Sequence, residues 1–318
     1  MSASRGTCLY MVLPCYNEEE VLRETASRLK EKYRKLMESG KISEDSRIMF
    51  VNDGSKDRTW EIIEALHGES GLFQGVKLSR NRGHQNALMA GLMTAVEYCD
   101  MAISMDADLQ DDVDAIDGMV EEYLKGADIV YGVRSRRDTD TFFKKSTAQG
   151  YYKLMERMGA ELVYDHADFR LMSKRALEAL AEFKEVNIFL RGIVPMIGFK
   201  TAVVTYERKE RFAGESKYPF MKMLHFAAEG ITSLSVKPIR FITGLGMVIF
   251  IVSIAVLIYC LVRYLGGNTI QGWTTTVISV WAIGGLTMMS LGVIGEYVGK
   301  IYLETKARPR FIIEEYLR

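Results

Sequence analysis

Short apolar runs alternate with amphipathic stretches along the chain as far as Val133. The runs predict five strands, Cys8–Leu13, Ile48–Asn52, Gly75–Ser79, Met101–Met105 and Asp128–Val133. The stretches between them carry apolar residues at helical spacing. Strands that alternate with helices in this way are typical of an α/β protein with a mainly parallel sheet covered by helices on both faces.

Four helices are predicted between these strands. Apolar residues recur near the helical period in the first of them, at Leu22, Leu29, Tyr33 and Leu36. Asn17 with Glu20 three residues later predicts a capping box at the start of this helix, and Gly40 predicts its end. The other three helices are predicted to start near Asp57, to span Asn86–Tyr98 and to span Val113–Leu124.

The C-terminal part of the chain contains two runs without any charged residue, Phe241–Val262 and Trp273–Gly295. Each is long enough to cross a hydrocarbon core of about 30 Å. Two buried helices of a large soluble core are the alternative, but such helices usually show a polar stripe, and these runs lack one. The sequence therefore predicts two transmembrane helices.

Basic residues lie at both outer ends of this predicted hairpin, and so on the same side of the membrane. Lys and Arg precede the first run and follow the second, at Lys237, Arg240, Lys300, Lys306, Arg308 and Arg310, whereas the link between the runs carries only Arg263. The positive-inside rule then predicts a cytoplasmic N-terminal region and a cytoplasmic tail in the cell membrane. No apolar signal-peptide segment is expected at the N-terminus. The predicted organisation is a cytosolic domain (1–218), an interfacial connector (219–240), a two-helix hairpin (241–298) and a cytosolic tail (299–318).

Composition excludes several classes of protein. The 41 basic residues balance 41 acidic ones, so the chain has no basic excess for binding nucleic acid. An apolar content of 48% and only five prolines argue against disorder. The four cysteines form no CxxC pair and are too scattered for a disulfide framework, which favours reduced thiols.

Polar motifs follow the first four predicted strands. They read LPCYNEEE, VNDGSKDRT, LSRNRGHQNALMAG and SMDADLQDD. Ligands of parallel α/β sheets bind at the carboxyl ends of strands, so these motifs predict one shared site. Neither GxGxxG nor GxxxxGK[ST] follows a strand, which disfavours a dinucleotide-binding fold and a P-loop kinase.

The acidic residues of the fourth motif divide into two groups. Asp106 and Asp108 directly follow the strand, and two such carboxylates can share Mg²⁺ or Mn²⁺ while the cation keeps positions for diphosphate oxygens. Asp111, Asp112 and Asp114 lie further along and are expected to form a solvated acidic loop at a helix N-terminus. A DxD pattern alone would be a weak indication of a metal site.

Taken together, the four motifs resemble glycosyltransferase family 2, and within it the polyprenyl-phosphate glycosyltransferases, the group of dolichol-phosphate mannose synthase and bactoprenol-phosphate glucosyltransferase. The resemblance continues through ADFRLMSKRAL, FLRGIVPMIGF, ERKERFAGESKYPF and the paired apolar runs, and covers nearly the whole chain. It implies a Rossmann-like GT-A fold and inverting transfer of a sugar from a nucleotide-sugar, with UDP-glucose as first choice, to undecaprenyl or another polyprenyl phosphate. It also implies a Mg²⁺ or Mn²⁺ cofactor, a bilayer partner and a homo-oligomer.

The resemblance implies donor-binding roles for one set of residues, namely Pro14, Tyr16, Glu18, Asp53, Asp106, Arg191 and Lys217. Asp53 would accept hydrogen bonds from the base or ribose, and Arg191 would contact the diphosphate. Asp108 and Gln110 would bind the metal together with Asp106. The alternatives are a helix start and cap for Tyr16 and Glu18, and a turn residue for Asp53.

The acceptor phosphate would be bound by cations that follow the fifth strand. The implied residues are Arg134, Arg136, Lys144, Lys145 and Ser146, joined by Arg208 and Arg211. A basic loop beside anionic lipid is the alternative. Asp168, in ADFR, matches the catalytic base of members with hydroxyl acceptors, but a phosphate needs no strong base, so Asp168 is expected to orient the site or to bind Arg170. Ala167 replaces the glycine usual before this aspartate. Residues 220–231 are expected to form an interfacial helix or a connector packed on the domain.

Several alternatives remain at this stage. The sugar could be N-acetylglucosamine, mannose or aminoarabinose. A processive polysaccharide synthase is disfavoured because two spans cannot form a channel and because QxxRW is absent at FLRGI. A catalytically silent nucleotide-sugar-binding membrane module is disfavoured because Asp106, Asp108, Arg134 and Lys217 are all present.

Overall fold

A computed structural model describes residues 6–134, 166–186, 188–207, 237–265 and 272–318. The chain divides into two compact units. One contains the mixed sheet with its covering helices, together with the C-terminal tail from Arg308. The other contains two long helices near the C-terminus.

The sheet unit is an α/β fold whose elements follow the predicted order. Its strands are β1 (Leu9–Cys15), β2 (Arg47–Asn52), β3 (Phe73–Leu78), β4 (Met101–Ser104), β5 (Ile129–Arg134), β6 (His166–Ser173), β7 (Thr201–Tyr206) and β8 (Ile313–Leu317). Its helices are α1 (Leu22–Glu38), α2 (Thr59–Glu69), α3 (His84–Ala95), α4 (Ala115–Leu124), α5 (Lys174–Ala181) and α6 (Leu190–Met196). The five predicted strands and four predicted helices are confirmed, with ends displaced by at most three residues except at the start of α1, where the N-cap is Val21 and not Asn17.

The strands form one sheet in the order β7-β5-β6-β4-β1-β2-β3-β8. β1 pairs in parallel with both β2 and β4, so the direction of winding reverses between β1 and β4. β6 and β8 are the antiparallel strands: β6 lies between β4 and β5, and β8 pairs with β3. The sheet is therefore mainly parallel, and its switch point lies at the carboxyl ends of β1 and β4, where ligands bind in such folds.

An apolar core covers each face of the sheet. On one face α1, α2 and α4 pack on residues such as Leu13 and Phe50. On the other, α3, α5 and α6 pack on residues such as Val12 and Val51. Every residue of β1 is buried because its side chains point alternately into the two cores.

The predicted capping box of α1 is wrong. The helix begins at Leu22, and its N-cap residue, Val21, makes no side-chain capping hydrogen bond. Asn17 instead adopts a left-handed conformation (φ 56°) and bonds to the loop after β2: its N–H donates to Ser55 Oγ, and its Oδ1 accepts from Lys56 N. The predicted end is confirmed, since Gly40 has a φ of 70° just after the helix.

The C-terminal tail forms the edge strand β8, which the sequence analysis did not predict. Tyr316 donates its hydroxyl hydrogen to Gln74 Oε1 over 3.0 Å, and Lys77 pairs with Glu314 at 3.0 Å. The backbone of Ser79 bonds to Ile312 just beyond the strand. The last residues of the chain therefore belong to the same sheet as the first strand.

The second unit contains α7 (Lys237–Leu265) and α8 (Trp273–Lys306), which include the two uncharged runs. Across the described ranges, none of the helices combines the length and the apolar character that a membrane crossing requires.

Candidate active site

The DADLQDD segment leaves β4 at the switch point of the sheet. Asp108 is buried, and its Oδ1 accepts a hydrogen bond from the backbone N–H of Gln110 over 3.1 Å. Leu109 between them adopts a left-handed conformation (φ 57°). The side chain of Asp106 stays 38% exposed. The segment thus turns tightly around one carboxylate while the other borders the cleft.

The pKa of Asp106 is raised to about 6. Burial is the main cause, the charges of Asp168, Asp111 and Asp108 add to it, and His84 opposes it. A carboxylate that is destabilised in this way by nearby carboxylates is well suited to bind a cation, which would favour its charged form.

Asp168 on β6 is held by cationic side chains on several sides. Arg170, which is fully buried, donates from Nη2 to Asp168 Oδ1 over 2.5 Å. Arg191 pairs with Oδ2 at 3.2 Å, and His84 Nε2 lies 3.6 Å from the same oxygen. Burial alone would raise the pKa of Asp168, but His84, Arg191 and Arg170 hold it well below its usual range. The expected contact between Asp168 and Arg170 is present.

His84 links the two strand-end carboxylates. It is the first residue of α3, and its Nε2 lies 3.6 Å from both Asp106 Oδ1 and Asp168 Oδ2. Burial lowers the pKa of His84, but the interactions with these two carboxylates raise it overall. The sequence leaves the role of His84 open because the four histidines of the chain show no metal-ligand spacing.

Asp53 holds the loop after β3 in place through hydrogen bonds to its backbone. Its Oδ1 accepts from Arg82 N over 2.7 Å and its Oδ2 accepts from Gly83 N over 2.9 Å. Burial raises the pKa of Asp53, and these backbone hydrogen bonds oppose that rise. Gly54 has a φ of 63°, and a Cβ there would lie 2.5 Å from Asn81 N. Asp53 is therefore a buried turn residue, and its role toward a nucleotide base stays a prediction.

The first motif presents its residues at different depths. Pro14 is buried in β1, Glu18 is half-buried, and Tyr16 is 44% exposed. The carbonyl of Glu18 accepts from Val21 N and Leu22 N at the start of α1. Glu18 thus takes part in the helix start, whereas the exposed Tyr16 ring is available to a ligand.

Arg134 is tied to the acidic loop at the end of β5. Its Nη2 lies 3.3 Å from Asp111 Oδ1, and Tyr206 donates its hydroxyl hydrogen to the same oxygen over 2.5 Å. The expectation that Asp111 is solvated is wrong, because its side chain is only 1% exposed. A buried carboxylate requires partners of this kind, and the sequence does not show that β5 and β7 would supply them.

The remaining predicted site residues lie outside the described residues. They are Arg136, Lys144, Lys145, Ser146, Arg208, Arg211 and Lys217.

The donor set at the end of β4 fits a hard divalent cation. Over the ranges that the structure describes, no three carboxylate, histidine or cysteine side chains form a complete metal cage. Asp106, Asp108 and Gln110 offer oxygen ligands only, which suits Mg²⁺ or Mn²⁺ with several positions left for a substrate's phosphate oxygens. These residues could therefore hold a metal together with a diphosphate.

Sequence reasoning missed three residues of this site, namely His84, Asp111 and Tyr206. Arg170 was expected beside Asp168, and its position agrees with the rule that residues two apart on a strand share a face. The contacts of Asp111 and Tyr206 join elements far apart in sequence, and no local pattern indicates them.

Comparison with known proteins identifies the family. The model of glycosyl transferase family 2 matches residues 10–181. The uncharacterised glycosyltransferase YkoT of Bacillus subtilis (strain 168) is 54% identical over 96% of this chain and 91% of its own length. Bactoprenol glucosyl transferase of Shigella phage SfX is 38% identical over 96% of this chain and 98% of its own. The solved mannosyl-3-phosphoglycerate synthase from Rubrobacter xylanophilus has a TM-score of 0.47 at 16% identity, over 70% of this chain and 71% of its own. The chain is thus a glycosyltransferase and belongs to glycosyltransferase family 2.

Proposed function

We propose that this enzyme transfers glucose from a nucleotide-sugar, with UDP-glucose as first choice, to a polyprenyl phosphate, with inversion at the anomeric carbon. The observation that carries the proposal is the surroundings of Asp168. Two arginines and His84 engage this carboxylate, and its depressed pKa makes it a poor base at neutral pH. An acceptor that is already an anion needs no base.

A phosphate monoester meets this requirement. Its second pKa is about 6, so it is largely dianionic at neutral pH. One of its oxygens attacks the anomeric carbon, the bond from that carbon to the diphosphate oxygen breaks, and the nucleoside diphosphate leaves. The relatives named bactoprenol glucosyl transferase support both the lipid acceptor and glucose, since they are similar over nearly the whole chain.

The residues divide between the two anions in this proposal. Asp106, Asp108 and Gln110 hold Mg²⁺ or Mn²⁺ on the donor side, where the ion supplies electrostatic stabilisation of the leaving diphosphate. Arg191 adds positive charge beside Asp168. Arg134, at the end of β5, receives the acceptor phosphate. Two anions that repel each other are thus brought together by separate cationic groups.

We further propose that α7 and α8 cross the cell membrane as a hairpin and that the sheet lies on the cytoplasmic side. The uncharged runs and the flanking basic residues support this orientation. The sheet topology is compatible with this hairpin. Since β1 to β7 and β8 belong to one sheet, the chain between Tyr206 and Ile313 crosses a bilayer either not at all or an even number of times, as a hairpin does.

Asp108→Ala tests the proposed reaction. Membranes containing the wild type are incubated with radiolabelled UDP-glucose and undecaprenyl phosphate, and we expect butanol-extractable label. We expect Asp108→Ala to lose this transfer by at least about a hundredfold, because the diphosphate loses its counterion. The matched control is Asp112→Asn in the same loop, which keeps an oxygen that can accept from Asp114 N and should retain activity.

Each other outcome of this assay identifies a different function. Insoluble label would indicate a polysaccharide synthase, and nucleotide-sugar binding without incorporation would indicate a silent binding module. Near-normal turnover of Asp108→Ala would contradict the assigned metal residues. A panel of nucleotide-sugars carrying N-acetylglucosamine, mannose or aminoarabinose decides the sugar, and a higher kcat/KM for any of these would overturn glucose.

A further inference from the structure

Arg134 and Tyr206 lie side by side where two parallel strands end. β5 and β7 pair in register, and Arg134 is the Cα partner of Tyr206. Arg134 Nε lies 3.3 Å from the Tyr206 hydroxyl oxygen. This position puts the guanidinium at the carboxyl edge of the sheet, on the side of β4 that β1 does not occupy.

Asp111 joins this pair to the DADLQDD loop. Its Oδ1 accepts both from the Tyr206 hydroxyl over 2.5 Å and from Arg134 Nη2 over 3.3 Å. Asp111 is separated from Gln110 by one peptide bond and from Asp108 by three. One buried carboxylate oxygen therefore connects the donor-side loop to two other strand ends.

Burial differs within the cluster. The Asp111 side chain is 1% exposed, whereas Arg134 keeps 30% of its side chain exposed. The Tyr206 ring packs edge-on against Phe169, with ring centroids 5.3 Å apart. Burial raises the pKa of the Tyr206 hydroxyl, which stays protonated and donates. The tyrosine and the aspartate are thus fixed, and the arginine bound to them still reaches solvent.

We propose that Asp111 and Tyr206 are positioning residues that orient Arg134 toward the acceptor phosphate. This inference rests on the proposed function. An arginine side chain has many rotamers, and its forked donors bind phosphate only in particular orientations. Asp111 and Tyr206 hold Nη2 and Nε of Arg134 before the acceptor arrives. The remaining N–H groups of the guanidinium are then already oriented, so less conformational entropy is lost when the phosphate binds.

Tyr206→Phe is the first test, performed on the full-length enzyme. It removes the hydroxyl and keeps the ring on Phe169. We expect the KM for undecaprenyl phosphate to rise about fivefold to tenfold, while the KM for the nucleotide-sugar and the slow hydrolysis of the nucleotide-sugar by water stay within about twofold. The matched control is Tyr123→Phe, which removes another tyrosine hydroxyl, bonded to the carbonyl of Asp100. It should change neither KM.

Asp111→Asn separates orientation from simple neutralisation of charge. The variant keeps an oxygen that can accept from Tyr206 but loses the ion pair with Arg134. If Asp111 orients the arginine, the acceptor KM rises; if it only cancels the charge of Arg134, the acceptor KM falls because the phosphate meets a stronger positive field.

Three results would overturn the inference. They are an unchanged acceptor KM in Tyr206→Phe, an equal rise of both KM values, and a lowered acceptor KM in Asp111→Asn. Failure of the wild type to transfer sugar to any polyprenyl phosphate would instead refute the proposed function, and this inference with it. Wild-type transfer with an unaltered Tyr206→Phe refutes only the positioning role.

Discussion

The two halves of the sheet's carboxyl edge are held together in different ways. In the half formed by β1, β2 and β3, side-chain oxygens mainly accept from backbone N–H groups, as Asn17 does from Lys56 and Asp53 does from Arg82 and Gly83. In the half formed by β4 to β7, side chains pair with side chains of opposite charge. Asp168 with Arg170 and Asp111 with Arg134 are the examples.

This difference shows what each half has to keep in place. Bonds to the backbone fix the shape of a loop and leave exposed groups such as Tyr16 to contact a ligand. Ion pairs between side chains fix the charged groups themselves, which matters where charge develops during the reaction. The first half should therefore respond to changes of backbone geometry, and the second to changes of charge.

The largest effect is expected from Asp168→Ala. Removal of this carboxylate leaves the buried guanidinium of Arg170 without its counterion, which should lower the free energy of unfolding by about 3–5 kcal/mol. Chemical denaturation of the purified protein measures this value. Arg191→Ala, which removes a more exposed partner of the same carboxylate, should cost much less. Equal losses in the two variants would contradict the importance of the buried pair.

A smaller effect is expected from Gly54→Ala in the other half. The residue has a φ of 63°, and its Cβ would lie 2.5 Å from Asn81 N and 2.7 Å from Arg80 C. The loop after β3 must then move away from Asp53, and we expect a loss of about 2–3 kcal/mol, measured in the same way. Gly40→Ala is a control with positive φ but open space around it. If both variants lose the same stability, the contact between the two loops does not contribute.

The smallest change in stability is expected from Asp106→Asn, which should stabilise the protein, whereas the other two variants destabilise it. Because the pKa of Asp106 is about 6 in the folded protein and near 3.8 when unfolded, the folded state binds more protons between these values. Stability from this group is therefore lost as the pH rises from about 4 to about 6. Solvent screens this effect because 38% of the Asp106 side chain is exposed, so in metal-free protein at pH 7 the variant should melt only slightly higher than the wild type, and transfer activity should be lost.

The pH dependence of the melting temperature is the control for this prediction. At pH 4 the wild-type Asp106 is largely protonated, so the advantage of Asp106→Asn should disappear. Added Mn²⁺ should stabilise the wild type more than the variant. A variant that is less stable than the wild type at pH 7 would contradict an unfavourable carboxylate at this position.

Much of the fold was predictable because local patterns specify it. Uniformly apolar runs identify buried parallel strands, and their polar ends place Asp53, Asp106 and Asp108 at one edge of the sheet. The family resemblance, confirmed by the comparisons, added the GT-A fold. These features depend on residues close together in sequence.

The rest depends on contacts between distant parts of the chain. Asp111 lies in a run of acidic residues that predicts a solvated loop. The pairing of β5 with β7 instead brings two donors, Arg134 and Tyr206, to its carboxylate, which is buried. Asn17 fits a capping box, but the loop after β2 offers it better partners. The strand β8 is short, and its acidic residues obscure the alternation of apolar and polar positions that would predict a strand. It forms because it pairs with the edge of β3.

The edge strand β8 has a consequence for biosynthesis. Tyr316 contacts Gln74, 242 residues earlier in the chain, so the sheet is completed only after the residues of β8 have left the ribosome. Until then the edge of β3 stays uncovered and open to pairing with other chains. Closure across such a separation is slow. A stop codon shortly after α8 would therefore yield a protein with every predicted site residue and an aggregation-prone edge.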